Sequence, residues 1–321
     1  MTESSVSTSP STPRAARNLT GAVWMIGSGI GFTIYLIMAK QASSEIHPVV
    51  LAFFRAAIGF AITAPLILRH GPAFLKTEKL GLILTRSMFG TLGFILSLLA
   101  VSDFFTLPLS QFNALSFSRP LFVTLLAAVL LNEAVGPHRL GAVGVGFLGV
   151  LVMAVPGVVF FWLPEGAGPP LDLAALLALA SAFFFAGAIV LVKSLSATHT
   201  AAQLLTWANL LSTIILLPGL IWFWSPPSLV GWLMIITMSI TGLVAQYAYI
   251  TAMGMGDASF LSPMDYLRLP MAAAADFLLF KLVPGQYVWI GAAIIVVATI
   301  YITLREARMK RNNYPNPSTR A

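Results

Sequence analysis

The sequence predicts an all-α membrane protein with ten transmembrane helices arranged as two inverted five-helix repeats. Of the 321 residues, 58% are hydrophobic and only 9% are charged, with a mean hydropathy of +0.89, whereas soluble domains carry about 25% charged residues. The apolar residues occur in runs of about 20, the length with which a helix crosses the hydrocarbon core. Runs such as AALLALASAFFFAGAIVLV do not alternate as the strands of a membrane β-barrel do, so the spanning segments are predicted to be helices.

Short polar or Pro/Gly-containing breaks divide the chain into ten predicted spans. These lie at residues 19 to 39, 48 to 68, 80 to 101, 109 to 131, 139 to 158, 172 to 192, 202 to 223, 229 to 252, 259 to 282 and 286 to 304. Residues 1 to 18 are rich in Ser, Thr and Pro and are predicted to form a disordered tail. Residues 305 to 321 are predicted to form a basic tail. The first apolar run is too long for a signal-peptide core, so it is predicted to be the first span.

The basic residues predict that both termini lie in the cytoplasm and that the protein resides in the inner membrane. In this orientation the outer segments carry only Lys40 and Lys281, and four of the 18 Lys and Arg residues lie within spans. The other twelve face the cytoplasm, as the positive-inside rule requires: Arg14, Arg17, Arg69, Lys76, Lys79, Arg139, Lys193, Arg305, Arg308, Lys310, Arg311 and Arg320. The net charge of +7 is therefore attributed to membrane orientation and not to nucleic-acid binding.

A proline and a glycine recur at the same separation in the two halves of the chain. Pro120 and Gly141 are 21 residues apart, as are Pro270 and Gly291, and the two pairs are offset by 150 residues. Residues 19 to 158 are predicted to form the first repeat and residues 172 to 304 the second. A five-span unit must be inverted when it is repeated, because an odd number of crossings brings the chain to the opposite face. Inverted repeats are typical of secondary transporters, whose substrate site lies near the midplane.

Several motifs of the two halves are together typical of one transporter family. They are LLNEAVGPHRLGAVGVGFLGVLVM, its counterpart FKLVPGQYVWIGAAIIVVATIYI, and an arginine early in the second span. With the ten-span organisation they resemble the EamA-type branch of the drug/metabolite transporter superfamily. ASFLSPMDYLRLPMAAAADFLLF is similar to the subgroup of bacterial riboflavin and S-adenosylmethionine permeases. The resemblance implies a transporter. The second half departs from the family pattern, because Lys281-Leu282-Val283 stands where the first half has Glu133.

The predicted ninth span carries three charged residues, Asp265, Arg268 and Asp276. A charge at the centre of a spanning helix costs on the order of 2.5 to 3.5 kcal/mol, so such residues face the bundle or a wet cavity and are paired. At 100° per residue Asp265 and Asp276 share one face, and Arg268 lies one turn from Asp265. We expect Asp265, Tyr266 and Arg268 to line a substrate path, with Asp276 deeper on the same face. The alternative is that Asp265 and Arg268 form an internal ion pair that locks the helix, with Asp276 held by a neighbouring arginine.

The fourth span is the most polar of the first half and contains Arg119 directly before a proline. Proline frees a backbone carbonyl one turn earlier, so polar groups there must be satisfied by protein or water. We expect Arg119, Gln111, Asn113 and Ser118 to line the path opposite the ninth span. Arg55, one third of the way along the second span, is predicted either to line the path or to snorkel to the interface.

These features predict a secondary transporter that moves a small metabolite by alternating access, coupled to protons or a counter-solute. Arg55, Arg86, Arg119 and Arg268 lie within spans against two Asp of the ninth span, and this excess of two positive charges favours an anionic or zwitterionic substrate. The alternative is that Glu133 or Asp103 pairs with these arginines and removes the excess. No G-x-x-x-x-G-K-[ST] motif occurs, so ATP hydrolysis is not expected.

The sequence favours no catalytic site, cofactor or metal. Cysteine is absent, and the four histidines lie in predicted loops without metal-ligand spacing. The alternatives are a membrane-embedded lipid-modifying enzyme and a non-transporting membrane partner, but the loops are short and poor in acidic residues. Gly27 and Gly31 form a GxxxG spacing, which is interpreted as a close helix contact or as a homodimer surface.

Overall fold

The helices of this chain, taken from a computed structural model, follow the predicted spans with shifts at their ends. The structure describes residues 14–105, 107–130, 137–154, 173–195, 197–255, 261 and 264–313. Numbered in chain order, the α-helices are α1 (Arg14–Ala42), α2 (Pro48–His70), α3 (Leu80–Val101), α4 (Leu109–Ser116), α5 (Arg119–Leu130), α6 (Pro137–Ala154), α7 (Leu173–Leu195), α8 (Ala201–Phe223), α9 (Leu229–Met255), α10 (Arg268–Phe280) and α11 (Gln286–Asn313). A 3-10 helix, Pro72–Leu75, follows α2.

Seven helical segments within the described residues are long and apolar enough to cross a membrane. They are predicted spans one to four, with α4 and α5 as one broken span, and spans six to eight. The fifth and tenth spans contain shorter apolar helices, Leu140–Met153 and Gln286–Ile302, and α10 lies in the ninth. The predicted fifth span after residue 154 and parts of the ninth before residue 264 lie outside the described residues. The chain is thus an all-helical integral membrane protein.

The helices extend further into the two predicted tails than the sequence analysis placed them. The first helix begins at Arg14 and the last ends at Asn313, so residues 14–18 and 305–313 are helical. The segments RAARN and REARMKRNN consist mainly of Arg, Ala, Glu, Met and Lys, which have high helix propensity and continue a helix beyond its apolar part. Residues 1–13 and 314–321 lie outside the described part of the chain.

The fourth and ninth spans are both broken just before their prolines. Residues 117 and 118 form a turn between α4 and α5, and residues 266 and 267 form a turn before α10. In both turns the backbone bonds tighten to i→i+3, with Ser118 N–H donating to Leu115 O at 3.0 Å and Leu267 N–H to Met264 O at 3.1 Å. Since proline supplies no N–H to the preceding turn, the helix is interrupted at the same place in both halves.

The spans pack in pairs that join the two halves of the chain. The first span packs on the eighth, the third on the sixth, the second on the seventh, the fifth on the tenth, and α4 of the fourth on α10 of the ninth. We call the end with loops 43–47, 102–108, 224–228 and 281–285 the outer end, following the charge-based prediction, and the opposite end the inner end.

Two of these helix pairs approach closely at glycines. A Cβ added to Gly31 in α1 would lie 2.9 Å from Ala245 Cβ in α9, whereas a Cβ on Gly27 meets nothing within 4 Å. Gly149 of α6 and Gly291 of α11 face each other, and a Cβ on Gly291 would lie 2.5 Å from Gly149 O. Gly31 of the GxxxG spacing therefore serves a contact inside the chain, and a homodimer surface at Gly27 stays a prediction.

The buried apolar side chains are distributed unevenly between the two ends. One large cluster fills the outer half and the middle of the bundle and includes residues from all ten spans, among them Leu51, Leu109, Ala178 and Ile235. At the inner end the described residues form three separate small clusters. These lie between spans one, eight and nine (Ala22, Met25, Ala252 and Leu261), between spans three, six and seven (Ile83, Leu195 and Leu204), and between spans four, five and ten (Leu121, Ala142, Val143 and Ile302).

Candidate functional site

Arg268 and Asp265 form an ion pair at the break of the ninth span. Asp265 Oδ1 lies 2.7 Å from Arg268 Nη2, but Oδ1 has no aligned hydrogen-bond partner among the described residues. The same Nη2 donates to Ser28 Oγ of α1 at 3.2 Å. The guanidinium lies 4.2 Å from the ring centroid of Phe32 and 5.5 Å from that of Tyr249. Arg268 is therefore held between two aromatic faces, each able to stabilise a partly desolvated cation by about 1 to 2 kcal/mol.

A row of aromatic rings connects Arg268 to Arg55. The Arg55 guanidinium lies 4.3 Å from the ring centroid of Phe94 in α3. Phe94 and Tyr35 have ring centroids 6.4 Å apart, and Tyr35 and Phe32 are 6.5 Å apart. Arg55 thus faces the bundle interior and does not snorkel to an interface.

Arg119 belongs to the same region, although it lies on the first repeat's broken helix. Its guanidinium lies 4.7 Å from the ring centroid of Phe185 in α7, and it is within electrostatic range of Arg268, Asp265 and Tyr249. The breaks of the fourth and ninth spans therefore bring charged side chains together although their sequence positions are about 150 residues apart.

We call these side chains the arginine–aromatic cluster: Arg55, Arg119, Arg268 and Asp265, with the rings of Phe32, Tyr35, Phe94, Phe185 and Tyr249. The Nε atoms of all three arginines are buried and have no hydrogen-bond partner within the described residues. Three cations against one carboxylate leave two positive charges in excess. Buried donors without partners are costly, so the cluster is suited to accept polar groups from water or from a bound molecule.

Tyr266 lies beside the ion pair and connects three spans. Its ring packs edge-on against Phe117 of the fourth span, with centroids 4.7 Å apart, and its side chain is hydrogen-bonded to Thr299 of α11. Tyr266 thus fixes the break of the ninth span against the break of the fourth.

Asp276 occupies a different environment from Asp265. It is fully buried, and its carboxylate accepts hydrogen bonds from Leu109 N–H and Ser110 N–H, both at 2.8 Å, and from Ser110 Oγ at 2.7 Å. The residue before α4 is Pro108, which offers no capping side chain. Asp276 therefore caps the N-terminus of α4 from across the bundle, where a carboxylate also complements the helix dipole.

The polar residues predicted on the fourth span have different positions. Asn113 is buried, and its Nδ2 has no hydrogen-bond partner in the described part of the chain. Gln111 is half-buried. Ser118 is fully buried and donates to Leu115 O at 2.6 Å, so its hydroxyl is used at the helix break.

Lys40 lies in the last turn of α1 at the outer end, the side that the charge distribution predicted, but it is a buried cation. It is 5% exposed, its Nζ donates to Leu107 O at 2.9 Å, and it lies 4.9 Å from the ring centroid of Phe280. It is within electrostatic range of Asp276 and Asp103. The outer ends of spans one, four and nine are therefore held together by buried polar contacts.

Sequence reasoning missed Lys40 and the rings of the cluster for a physical reason. A lysine near a span end ordinarily snorkels to the headgroups, and the partner of Lys40 is a carbonyl 67 residues away. The cluster rings are a small subset of 22 Phe and 7 Tyr. The sequence holds one signal for the contact of Asp276 with α4. Pro108 precedes this helix and cannot cap it, so the first N–H groups of α4 need an acceptor from another part of the chain.

Two concavities lie away from the cluster. A lateral groove of about 420 Å³ is lined by Phe53, Phe54, Leu220, Ile221 and Trp224. A pocket of about 310 Å³ at the outer end is lined by Glu45, His47, Asp103 and neighbouring residues. Burial lowers the pKa of His47, which stacks on Phe223 with ring centroids 3.9 Å apart. The groove is lined by apolar side chains, and the charged residues that line the outer pocket are carboxylates. Neither concavity therefore resembles the arginine-rich interior of the bundle.

Comparison with known proteins assigns the sequence to a protein family. The EamA-like transporter family matches the chain twice, over residues 19–155 and 172–304. A riboflavin transporter of Vibrio cholerae serotype O1 is 31% identical over 301 residues, which cover 91% of this chain and 96% of that protein. An S-adenosylmethionine uptake transporter of Rickettsia felis is 26% identical and covers 90% of this chain and 94% of that protein.

Other similarities are more distant. A pseudopaline exporter of Pseudomonas aeruginosa is 25% identical over 285 residues, which cover 88% of this chain and 95% of that protein. A solved crystal structure superposes with a TM-score of 0.58 at 18% identity, covering 92% of this chain and 99% of that chain. The structural similarity supports the fold, and the two family matches together span most of the sequence. The chain, an all-helical integral membrane protein, belongs to the EamA-like transporter family.

Proposed function

We propose that this chain is a secondary transporter that moves a small anionic or zwitterionic metabolite across the inner membrane by alternating access. The observation that carries the proposal is the arginine–aromatic cluster inside the bundle, where Arg268 and Arg119 face Asp265 and Arg55 adjoins them through a row of aromatic rings. The EamA-like family and its transporter-named members support transport of a small molecule.

The charge of the cluster supports the preference for negatively charged groups. Asp276 and Lys40 are both engaged at the outer end of the bundle, so they do not enter the charge balance of the cluster. Arg55, Arg119 and Arg268 against Asp265 leave an excess of two positive charges. A carboxylate or phosphate group of a substrate forms strong charge-assisted hydrogen bonds with guanidinium forks.

The aromatic rings support a substrate that carries a flat conjugated ring. Riboflavin and S-adenosylmethionine, named for two relatives, both contain such a ring system. Phe32, Tyr35 and Phe94 form one wall of the cluster, and a planar ring stacked there gains dispersion and offset-stacking energy. Riboflavin is uncharged and tests recognition of the ring alone, whereas S-adenosylmethionine also carries a zwitterionic aminocarboxylate group, so these two compounds and a phosphorylated flavin are the first probes for a transport assay.

The pairing of the spans supports two inverted repeats. If each span is replaced by the span five positions away in the other half, the contact between spans one and eight becomes a contact between spans six and three, which the structure also contains. The contacts between two and seven, four and nine, and five and ten map onto themselves. The breaks before Pro120 and Pro270 follow the same exchange.

The distribution of buried side chains supports alternating access, with the structure in an inward-facing state. The outer end has one continuous core and the Lys40 and Asp276 contacts, whereas the described inner end has three separate clusters. In the proposed cycle the substrate enters or leaves between the inner clusters. The outer contacts break when the path opens to the other side. The direction of transport is set by the gradient of substrate, protons or an exchanged solute. In the proposed orientation both termini lie in the cytoplasm.

Counterflow in proteoliposomes tests the proposal. Purified protein is reconstituted, and uptake of labelled riboflavin, riboflavin 5′-phosphate and S-adenosylmethionine is measured with and without a pH gradient. We expect saturable exchange of riboflavin 5′-phosphate or S-adenosylmethionine, the two probes with an anionic group, reduced at least tenfold by Arg268→Ala. Arg69→Ala removes an exposed arginine at the inner end of α2 and should leave exchange unchanged. If none of the probes moves in a folded preparation, or if Arg268→Ala has no effect, the proposed function fails.

A further inference from the structure

Asp265 and Arg268 are paired in a way that leaves both groups incompletely bonded. They are 2.7 Å apart, yet Asp265 Oδ1 is not in an aligned hydrogen bond, and Arg268 Nε has no partner within the described residues. The contacts of Arg268 with Asp265 and with Ser28 both use the same atom, Nη2. A guanidinium offers five N–H donors, and the contacts formed within the described part of the chain leave the Nε donor open to a ligand.

The surroundings hold the arginine more firmly than the carboxylate. The Arg268 guanidinium lies between Phe32 and Tyr249 and bonds Ser28 of α1. In addition, its Cγ lies 3.6 Å from where a Cβ on Gly29 would be. Asp265 precedes α10, at the helix break, and its charge is opposed by two arginines, Arg268 and Arg119. The cation is packed in place, whereas the carboxylate is held mainly by charge.

We propose that Asp265 is a built-in counter-ion that occupies Arg268 in the empty transporter and is displaced by the anionic group of the substrate. This inference rests on the proposed function and assigns the anion-recognising pair within the cluster. A carboxylate or phosphate of the ligand replaces the carboxylate of Asp265 on the guanidinium and contacts the unused Nε and Nη donors. Asp265 thereby lowers the affinity for anions and keeps the site able to release its substrate.

The displacement has a consequence for the transport cycle. A desolvated arginine without a counter-ion is costly in the membrane interior, so the empty carrier needs Asp265 in order to change conformation. Removing the carboxylate strengthens anion binding and slows the return of the empty carrier. A purely structural ion pair instead predicts that its loss weakens the fold and leaves anion affinity unchanged.

Anion binding to the purified protein tests the inference without knowledge of the substrate. The probe is inorganic phosphate at constant ionic strength, and the readout is the unfolding temperature in detergent as a function of phosphate concentration. We expect Asp265→Asn to lower the half-saturating phosphate concentration at least tenfold relative to the unmodified chain. The double variant Asp265→Asn with Arg268→Gln should lose this gain, and the control Glu78→Gln, at an exposed inner-end carboxylate, should behave as the unmodified chain.

Each other outcome decides the inference. Equal phosphate dependence of Asp265→Asn and the unmodified chain overturns it, as does a gain that persists in the double variant. If Asp265→Asn gives little folded protein, the inference requires that added phosphate raises the yield of this variant. It also requires that phosphate does not raise the yield of the double variant. Failure of every metabolite to move in proteoliposomes would count against the proposed function and would leave the phosphate result standing, so the two failures are distinguishable.

Discussion

Asp265 and Asp276 lie eleven positions apart in the ninth span, but their surroundings differ. Asp265 faces two arginines and is partly exposed, with a side-chain exposure of 20%. Asp276 is fully buried and accepts three hydrogen bonds from the first residues of α4. The periodicity of a helix predicts that both carboxylates point the same way, but it does not predict the partner. Asp276 is therefore expected to act on stability and Asp265 on binding.

Asp276→Ala should destabilise the protein more than it changes substrate affinity. Two buried N–H groups and a hydroxyl lose a charged acceptor, which costs about 3 kcal/mol. Asp276→Asn keeps one acceptor oxygen and should cost less. Unfolding temperatures in detergent and the Km of the transported probe measure the two effects separately.

Glu78→Ala is the matched control for Asp276→Ala, because Glu78 is an exposed carboxylate that precedes the third span. It should leave the unfolding temperature unchanged. A stable Asp276→Ala variant with a strongly altered Km would assign Asp276 to the substrate path and contradict the capping role.

The crossing of α6 and α11 depends on two glycines that let the backbones touch. A Cβ on Gly149 would lie 2.8 Å from Gly291 O, and a Cβ on Gly291 would lie 2.9 Å from Met153 Cβ as well as 2.5 Å from Gly149 O. Close approach through small residues is the usual way in which membrane helices gain packing energy. These helices are the last of each predicted repeat, so their contact joins the two halves.

Gly291→Ala should destabilise the protein, since the added methyl group meets backbone on the facing helix and the crossing must widen. We expect a loss of about 1 to 3 kcal/mol in the free energy of unfolding. Gly141→Ala is the control at the equivalent position of the first half, where an added Cβ meets nothing within 4 Å. It should be neutral or stabilising by up to about 1 kcal/mol because alanine favours helix. Equal effects of the two substitutions would contradict a close crossing at Gly291.

The elements were more predictable from sequence than their contacts. Apolar runs of about 20 residues predicted the spans, and Pro120 of the fourth span and the charged residues of the ninth predicted where polar groups gather, because these features act locally along the chain. The Gly149–Gly291 crossing and the Asp276–Ser110 bond join residues 142 and 166 positions apart. Such pairings depend on how the helices pack, so a single sequence does not specify them. The charge of the cluster was predictable in sign, since arginines outnumber carboxylates within the spans.

Within the described residues, the apolar core is continuous at the outer end of the molecule and divided at the inner end. The buried Lys40 and the cap formed by Asp276 lie on the outer side of the arginine–aromatic cluster. The continuous apolar core extends from the outer end to the cluster, since it includes Tyr35 and packs against Phe32 and Phe94. Each of the three small inner clusters contains side chains from three spans, and the clusters are not in contact with one another within the described residues. We infer that opening to the outside requires Lys40 to leave Leu107 O, and that the cluster is reached from the inner side in this conformation.

Sided labelling of a single cysteine tests whether the centre of the bundle is reached alternately from the two faces. The chain contains no cysteine, so Ser116→Cys, at a half-buried position whose hydroxyl has no hydrogen-bond partner within the described residues, introduces a unique thiol near the break of the fourth span. A membrane-impermeant maleimide is applied to right-side-out and inside-out vesicles. Ser44→Cys and Glu78→Cys, both at exposed positions, report the outer and inner faces.

We expect Ser116→Cys to react at least tenfold faster from the face that labels Glu78→Cys. Adding Lys40→Met should raise its labelling from the face that labels Ser44→Cys, because the outer contacts are weakened. Equal labelling from both faces, faster labelling from the outer face before Lys40 is changed, or no response to Lys40→Met would contradict alternating access controlled by the outer contacts.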